Sequence, residues 1–273
     1  MDILITSGGT SEKIDNVRKI TNSSTGKLGC KIAETFASIR EIDKIWYICG
    51  KSAPIPQNTK LESIVIESTD DLLKVIMNIC GRNHIDVVVH AMAVSDYYVK
   101  TVSTIDWILD SIATHLSQMD KEAIRLNNKH YISLKEKLIG VIQSVPSLDN
   151  YTKISSDMEN LVLFLEKTPK ILPYFRGMLP YATIVGFKLL DSVDREFLIN
   201  KAYQLLIQND CDYVLANDQA EIDVKHVGHL VGRNKAYITY STKTEIAEGI
   251  AKIALEHRHM MKETFAGVDT NNI

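Results

Sequence analysis

Three features of the amino-acid sequence predict a doubly wound, mostly parallel, Rossmann-like α/β sheet with helices on both faces. The N-terminal run "DILITSGG" is a buried-strand pattern that stops at glycines. "IDVVVHAMAV" is apolar on both faces, as a central parallel strand is when helices cover the sheet above and below. Over residues 2–100, short strand-like runs alternate with longer stretches of helical period.

The elements follow in order. After the first strand, "KLGCKIAETFASI" places apolar residues at helical spacing, "KIWYICG" is a second strand and "SIVIES" a third. "TDDLLKVIMNICGRN" is a helix opened by Thr69 or Asp70 as cap, with acidic residues in its first turn. Past "IDVVVHAMAV" the rhythm breaks. Residues 101–150 hold helical patterns, "TIDWILDSIATHLSQM" and "SLKEKLIGVIQSV", without a Gly-rich turn or a strong strand. They read as a partly helical insertion in a single domain spanning 1–273. "KISSDMENLVLFLEKTPKILPYF" passes from a β pattern to a helix behind Pro169, and "ATIVGFKLL" is another central strand. "VDREFLINKAYQLLIQND" is an amphipathic helix, "CDYVLAND" a strand ending in polar residues and "KAYITYS" a late strand. "KTEIAEGIAKIALEHRHMM" closes the fold, and the residues to Ile273 read as a frayed tail.

Composition narrows the function. A chain of 273 residues, 45% of them hydrophobic, can bury a sizeable core. A net charge of −3 carries no basic excess, so nucleic acid is not an expected partner. No run reaches the roughly 18 apolar residues of a membrane span. The N-terminal run is too short for a signal peptide and lacks a cleavage site, so a cytoplasmic setting is expected. Cys30, Cys49, Cys80 and Cys211 are widely spaced with no C-x-x-C pair, and read as buried reduced thiols.

The loop from Ser7 to Gly26, "SGGTSEKIDNVRKITNSSTG", is dense in glycines, hydroxyls and amides. It matches neither standard phosphate motif. The G-x-G-x-x-G spacing is missing, and Gly26-Lys27 is followed by Leu28 with Thr21 where a P-loop has glycine. Its position still favours a phosphate-bearing ligand, because it leaves the carboxyl end of the first strand and feeds a helix. Gly8, Gly9 and Gly26 would let the backbone approach that ligand. The alternative is an ordinary long loop. Other strand ends add polar groups: Ser95 and Asp96 after "HAMAV", Gly186 and Phe187 within "VGFKLL", Asn217 and Asp218 in "LANDQA". Each alone is a turn, a cap or a core aromatic; together they share one crevice. Lys153, a lone lysine at a β segment, is by itself a surface charge. Among the eight histidines, the pairs His226/His229 and His257/His259 lack a carboxylate and third ligand at zinc spacing, so no residue is assigned to a metal. His90, on its apolar strand, reads as a satisfied core histidine. No G-x-S-x-G nucleophile motif occurs.

The stretches "TSGGTSEKIDNVRKITNSSTGKLG", "HAMAVSDYYV", "KISS", "TPKIL", "VGFKLL" and "ANDQAEI", in this order, resemble the phosphopantothenate–cysteine ligases, the phosphopantothenoylcysteine synthetases of coenzyme A biosynthesis. The resemblance covers most of the chain outside 101–150 and implies a free-standing form with no flavin. It implies a ligase that activates 4′-phosphopantothenate with a nucleoside triphosphate, CTP before ATP, as an acyl-nucleotidylate, and then joins it to L-cysteine. Mg²⁺ would accompany the CTP. Asn22 matches the Asn of "R-x-I-[ST]-N" and would hold the activated acyl group, with Arg18 four residues before it. Ala93 and Asp96 match the "A-V-[AS]-D-Y" turn, Asp96 on the nucleotide, and Gly26 belongs to the substrate loop. Lys153 matches the lysine that faces the triphosphate. Thr168, Pro169, Lys170, Ile171 and Phe187 match nucleotide contacts. A homodimer with the site near the subunit interface is also implied.

This sequence departs from the family in places. Many members carry two lysines, one helical turn apart, where Leu205 and Asn209 stand; Lys201, a turn earlier, is the candidate substitute. "KISS" replaces the more basic "K-I-K-K". Two other functions compete: a nucleotide-cofactor oxidoreductase, which the missing fingerprint disfavours, and an inactive binding module, which intact Asn22, Asp96 and Lys153 disfavour.

Overall fold

A computed structural model describes residues 1–119, 128–148 and 153–266, and the chain divides into two compact units. The first comprises 1–11, 21–96 and 169–273, and the second 12–20 and 97–168.

The first unit opens with β1 (Asp2–Ser7). The short pair β2 (Ser11–Lys13) and β3 (Lys19–Thr21) lies in the loop that leads to α1 (Lys27–Ser38). β4 (Lys44–Gly50), β5 (Leu61–Ile66), α2 (Thr69–Cys80) and β6 (Val87–His90) follow. In the second unit β7 (Tyr97–Thr104), α3 (Ile105–Ser117), α4 (Asn128–Gln143) and β8 (Leu161–Lys167) intervene. The chain then completes the first unit with α5 (Leu172–Met178), β9 (Thr183–Leu190), α6 (Arg195–Gln208), β10 (Tyr213–Asp218), α7 (Gln219–Val224), β11 (Gly228–Gly232), β12 (Tyr237–Tyr240) and α8 (Lys243–Ala266).

The main sheet runs β12-β11-β10-β9-β6-β1-β4-β5. Strands from β5 to β10 are parallel, while β11 and β12 are antiparallel at one edge. The doubly wound expectation therefore holds. Ile3, Leu4 and Ile5 of β1 are wholly buried because helices cover both faces. Ile3 and Ile5 pack with Ile32 and Phe36 of α1 and Ile246 and Ile250 of α8. Leu4 packs on the opposite side with Leu72 and Ile76 of α2, Phe175 of α5 and Leu198 of α6. Burying each such side chain stabilises by roughly 1.5–3 kcal/mol. All four cysteines are buried and free. Burial pushes the Cys49 and Cys80 thiols up to about 11 and Cys211 to about 12.

The structure differs from the sequence reading in places. The cap of α2 is Ser68, not Thr69 or Asp70. Ser68 has extended φ and ψ, its Oγ accepts from the Asp71 N–H at 3.1 Å, and Asp71 Oδ2 accepts from the Ser68 N–H at 3.0 Å. This capping box fixes the boundary through the third helical residue. β7 and β11 are additional strands. The stretch 101–150 lies inside the second unit, and its first residues belong to β7. Residues 120–127 and 149–150 of that stretch, and the tail 267–273, lie outside the described residues.

In the second unit β7 pairs antiparallel with β8, with a register shift between Val99 and Thr101. Val102, Leu148 and Ile154 form a small buried cluster, with Ile14 and Trp107 packed on it. The Asp15 carboxylate gathers the loop around it: it accepts from the Val17 and Arg18 N–H groups at 2.7 Å each and from the Ile154 N–H at 3.2 Å. The N–H bonds from Arg18 and Val17 hold its carboxyl below the usual range.

His90 is the satisfied core histidine expected. It is buried, its Nδ1 lies 2.7 Å from Thr6 Oγ1, and its ring meets Phe175 edge-on at 5.4 Å. Burial lowers its pKa from 6.5 to about 4. The neutral imidazole therefore contributes fully above pH 6.5, and that contribution is lost as the pH falls toward 4. The loss amounts to about 3 kcal/mol. Urea unfolding at pH 7 and pH 4.5 should show this fall, and His90→Gln should shrink the difference between the two pH values. An unchanged difference would place the acid sensitivity elsewhere.

A second buried device ties α8 to the sheet. Arg258 Nε donates to Asp86 Oδ1 at 2.8 Å, both side chains being less than a tenth exposed. Asp86→Ala leaves the guanidinium buried without its carboxylate. The unfolding free energy should drop by about 3–5 kcal/mol. A loss under about 1 kcal/mol in denaturant titration would contradict this account.

Candidate active site

β1 has β4 on one flank and β6 on the other. The chain winds outward through β4 and β5 and returns to the far side of β1, so the strand order reverses between β1 and β6. Open α/β sheets hold ligands outside the carboxyl ends of strands at such a point. Beyond the strands, the two chains stay laced. The Ala93 N–H donates to the Gly8 carbonyl at 2.8 Å, and the Thr10 N–H to the Ala93 carbonyl at 3.1 Å. Thr10 Oγ1 accepts from the Ser95 N–H at 2.8 Å. Both backbone groups of Ala93 are thus committed, and it offers the crevice its methyl group.

The polar loop enters the crevice from β3. A Cβ on Gly9 would lie 2.6 Å from the Asn22 carbonyl oxygen, so glycine there admits the returning loop. Asn22 Nδ2 donates to the Val94 carbonyl at 2.9 Å and ties this loop to the segment after β6. Gly26 caps α1 in the left-handed region, φ 67°, where a side chain is strained, and no side chain caps the helix. The long loop read from the sequence between the first strand and the first helix holds: β1 ends at Ser7 and α1 begins at Lys27.

Two clefts open here. The first, about 460 Å³, lies on the α1/α8 face and is lined by 23–29, 91–93, 187–189, Asn217, Gln219, Ile222, His226 and Lys243. Among the described residues no Asp or Glu lines it. The second, about 310 Å³, is lined by His90, Met92, 94–96, 169–173, Phe187, Leu205, Gln208 and Asn209. Met92 and Phe187 line both. An ion pair between Lys170 and Asp96 crosses the second cleft. Both partners are largely exposed, so the pair adds little to stability.

The structure brings Asp96, Pro169, Lys170, Ile171 and Phe187 together in the second cleft, and Gly26, Ala93 and Phe187 in the first. Gly8 and Gly9 line neither and serve the packing of the loop. Lys201 lines neither; its Nζ donates to Gln204 Oε1 at 3.2 Å and sits 5.3 Å from the Phe197 ring centroid. Leu205 and Asn209 do line the second cleft. Arg18, Lys153 and Thr168 belong to the second unit. There Arg18 Nη1 pairs with Asp15 at 3.2 Å, Thr168 is buried and Lys153 is exposed.

Sequence reasoning passed over Lys27, Lys243 and His226 as cleft residues. His226 was weighed only as half of a metal pair with His229. His229 is wholly buried with Nδ1 2.9 Å from Thr239 Oγ1, whereas His226 lines the first cleft. Lys243 opens the closing helix, a position that reads as scaffold until the fold brings it to the crevice.

The sheet is Rossmann-like, and the cleft at its switch point bears lysines and, among the described residues, no carboxylate. The family profile "DNA/pantothenate metabolism flavoprotein C-terminal domain" matches residues 1–111. The coenzyme A biosynthesis bifunctional protein CoaBC of Thermococcus kodakarensis is 29% identical over 248 residues, 90% of this chain and 49% of that protein. The crystal structure of the DNA/pantothenate metabolism flavoprotein from Streptococcus pneumoniae superposes with a TM-score of 0.74 at 34% identity, covering 94% of this chain and 99% of that one. The chain belongs to this family, that of the phosphopantothenoylcysteine synthetases. A Cab2 H337A mutant in complex with phosphopantothenate-cysteine shares the fold at 16% identity, TM-score 0.65, over 97% of this chain and 88% of that one. The chain spans about half the length of the curated relatives it matches.

Proposed function

We propose that this protein joins 4′-phosphopantothenate to L-cysteine, using CTP. The observation that carries the reading is the pair of adjoining clefts. One is rich in hydroxyls and lysines, with no carboxylate among the described residues; the other gathers Asp96, Pro169, Lys170, Ile171 and Phe187, which match nucleotide contacts; they meet at Met92 and Phe187. The nucleoside would occupy the second cleft, and the first would take phosphate groups and the acyl chain. A carboxylate oxygen of phosphopantothenate attacks the α-phosphorus, and the bond to pyrophosphate breaks. The cysteine amine then attacks the acyl carbon; the acyl C–O bond breaks, the nucleoside monophosphate leaves with the electron pair, and the amine gives up a proton. Neither step needs a side-chain nucleophile. Positioning and electrostatics carry the rate, and the residues assigned to them are Asn22 and Lys153.

The described residues contain no group of three or more His, Cys, Asp or Glu able to hold a metal ion. Mg²⁺ would enter on the nucleotide phosphates as part of the co-substrate, a mode that needs no such cluster. No flavin takes part in the proposed chemistry. No helix among the described residues is long and apolar enough to cross a membrane. A homodimer belongs to the proposal, and light scattering checks it. The deciding experiment measures pyrophosphate release with phosphopantothenate and each of CTP and ATP. Release with CTP supports the reading, release with ATP alone corrects the nucleotide, and release with neither overturns it.

A further inference from the structure

Lys243 and His226 stand together in the wall of the first cleft. Among the described residues, Lys243 makes no ion pair and no carboxylate lines the cleft to neutralise it. His226 Nε2 is shielded from solvent and has no hydrogen-bond partner among the described residues. A buried polar atom without a partner is costly to leave unsatisfied. A cation and an unsatisfied imidazole lining one cleft, in a chain of net charge −3, point to an anionic oxygen-rich group that satisfies both.

We propose that Lys243 and His226 form a phosphate-binding corner of the first cleft, a role that rests on the reading of the site as one for phosphorylated substrates. Burial, and then the Lys243 charge, hold the His226 imidazole below its ordinary range. At neutral pH it is uncharged, so it can donate one N–H to a phosphate oxygen without repelling the ammonium beside it. Asn217 Nδ2 is spent on the Val227 carbonyl at 2.6 Å, which leaves Lys243 as the cation and His226 as the neutral donor of this wall. The phosphate has two possible sources: the polyphosphate tail of the nucleotide or the 4′-phosphate of phosphopantothenate.

Calorimetric titration with inorganic tripolyphosphate tests the corner without any turnover. Lys243→Met and His226→Gln should each weaken binding tenfold or more. In NMR titration of the histidines, Lys243→Met should raise the His226 pKa by removing the neighbouring charge. Steady-state arms identify the source. A tenfold rise in KM for the nucleotide assigns the polyphosphate tail; collapse of the preference for phosphopantothenate over pantothenate assigns the 4′-phosphate. Should pyrophosphate never be released while tripolyphosphate binding still depends on Lys243, the ligase reading fails and the corner stands. Unchanged tripolyphosphate affinity together with unchanged KM values in both variants overturns the corner itself.

Discussion

Lys153→Ala should slow pyrophosphate release by about 10²-fold or more, the usual loss when a single electrostatic contact to a transition state is removed. The carboxylate of phosphopantothenate attacks a phosphorus already surrounded by negative oxygens, so the first step depends on cations more than the second does. Leu205 and Asn209 bring no charge to the second cleft, and Lys170 is paired with Asp96. Lys153 lies in the second unit. Its ammonium is exposed, while its backbone is held by the next residue: Ile154 is 1% exposed, and its N–H donates to Asp15 Oδ2 at 3.2 Å. A fixed backbone under a cation that makes no ion pair among the described residues suits a ligand contact better than a stabilising one. The substitution should leave stability within about 0.5 kcal/mol. Lys153→Arg, which keeps the charge, should recover part of the rate. Pyrophosphate release by Lys153→Ala within twofold of wild type, measured without cysteine, would show this residue to be an ordinary surface charge.

The central strands were legible because their burial is written into a local pattern. β1, β4, β6 and the first half of β9 are covered on both faces and read as largely apolar runs. β7 was not, because "YYVKTVST" is stabilised by a partner some sixty residues later and half of it faces water. β11 was missed because "GHLVG" is short and bounded by glycines, and it becomes a strand only by pairing with β10. The site divides in the same way. Asp96, Phe187 and Asn217 could be found because each sits on or just past a recognisable strand, and strand ends share a crevice by topology. Lys243 and His226 come from a helix start and an irregular link between α7 and β11. Nothing local distinguishes them from a solvated lysine and a turn histidine; only the folded cleft does. Lys201 illustrates the converse: its sequence position was suggestive, yet its Nζ is bonded to Gln204 on its own helix.

Asn22→Asp should give a severe loss of product, on the order of 10²-fold, with a nearly unchanged melting temperature. The Nδ2 donor of Asn22 is already used on the Val94 carbonyl at 2.9 Å. What the residue can still offer a substrate is the acceptor Oδ1, held in one orientation by that bond. Aspartate keeps an acceptor but loses the tie, turns a carboxylate oxygen toward the Val94 carbonyl, and adds negative charge where phosphates are expected. The lost hydrogen bond is exposed and worth about 0.5–1.5 kcal/mol, a shift of a few degrees in a chain of this size. Attack by the cysteine amine should suffer at least as much as activation, since it needs the acyl carbon presented at one angle. Asn22→Ser separates the roles. A serine hydroxyl can still help fasten the loop but cannot reproduce an oriented amide. If Asn22 only ties its loop to the segment after β6, Asn22→Ser keeps both stability and product formation. Full product formation by Asn22→Ser at saturating phosphopantothenate, nucleotide and cysteine would therefore remove Asn22 from the chemistry, whereas a folded variant that releases pyrophosphate but forms little product would place it at the acyl intermediate.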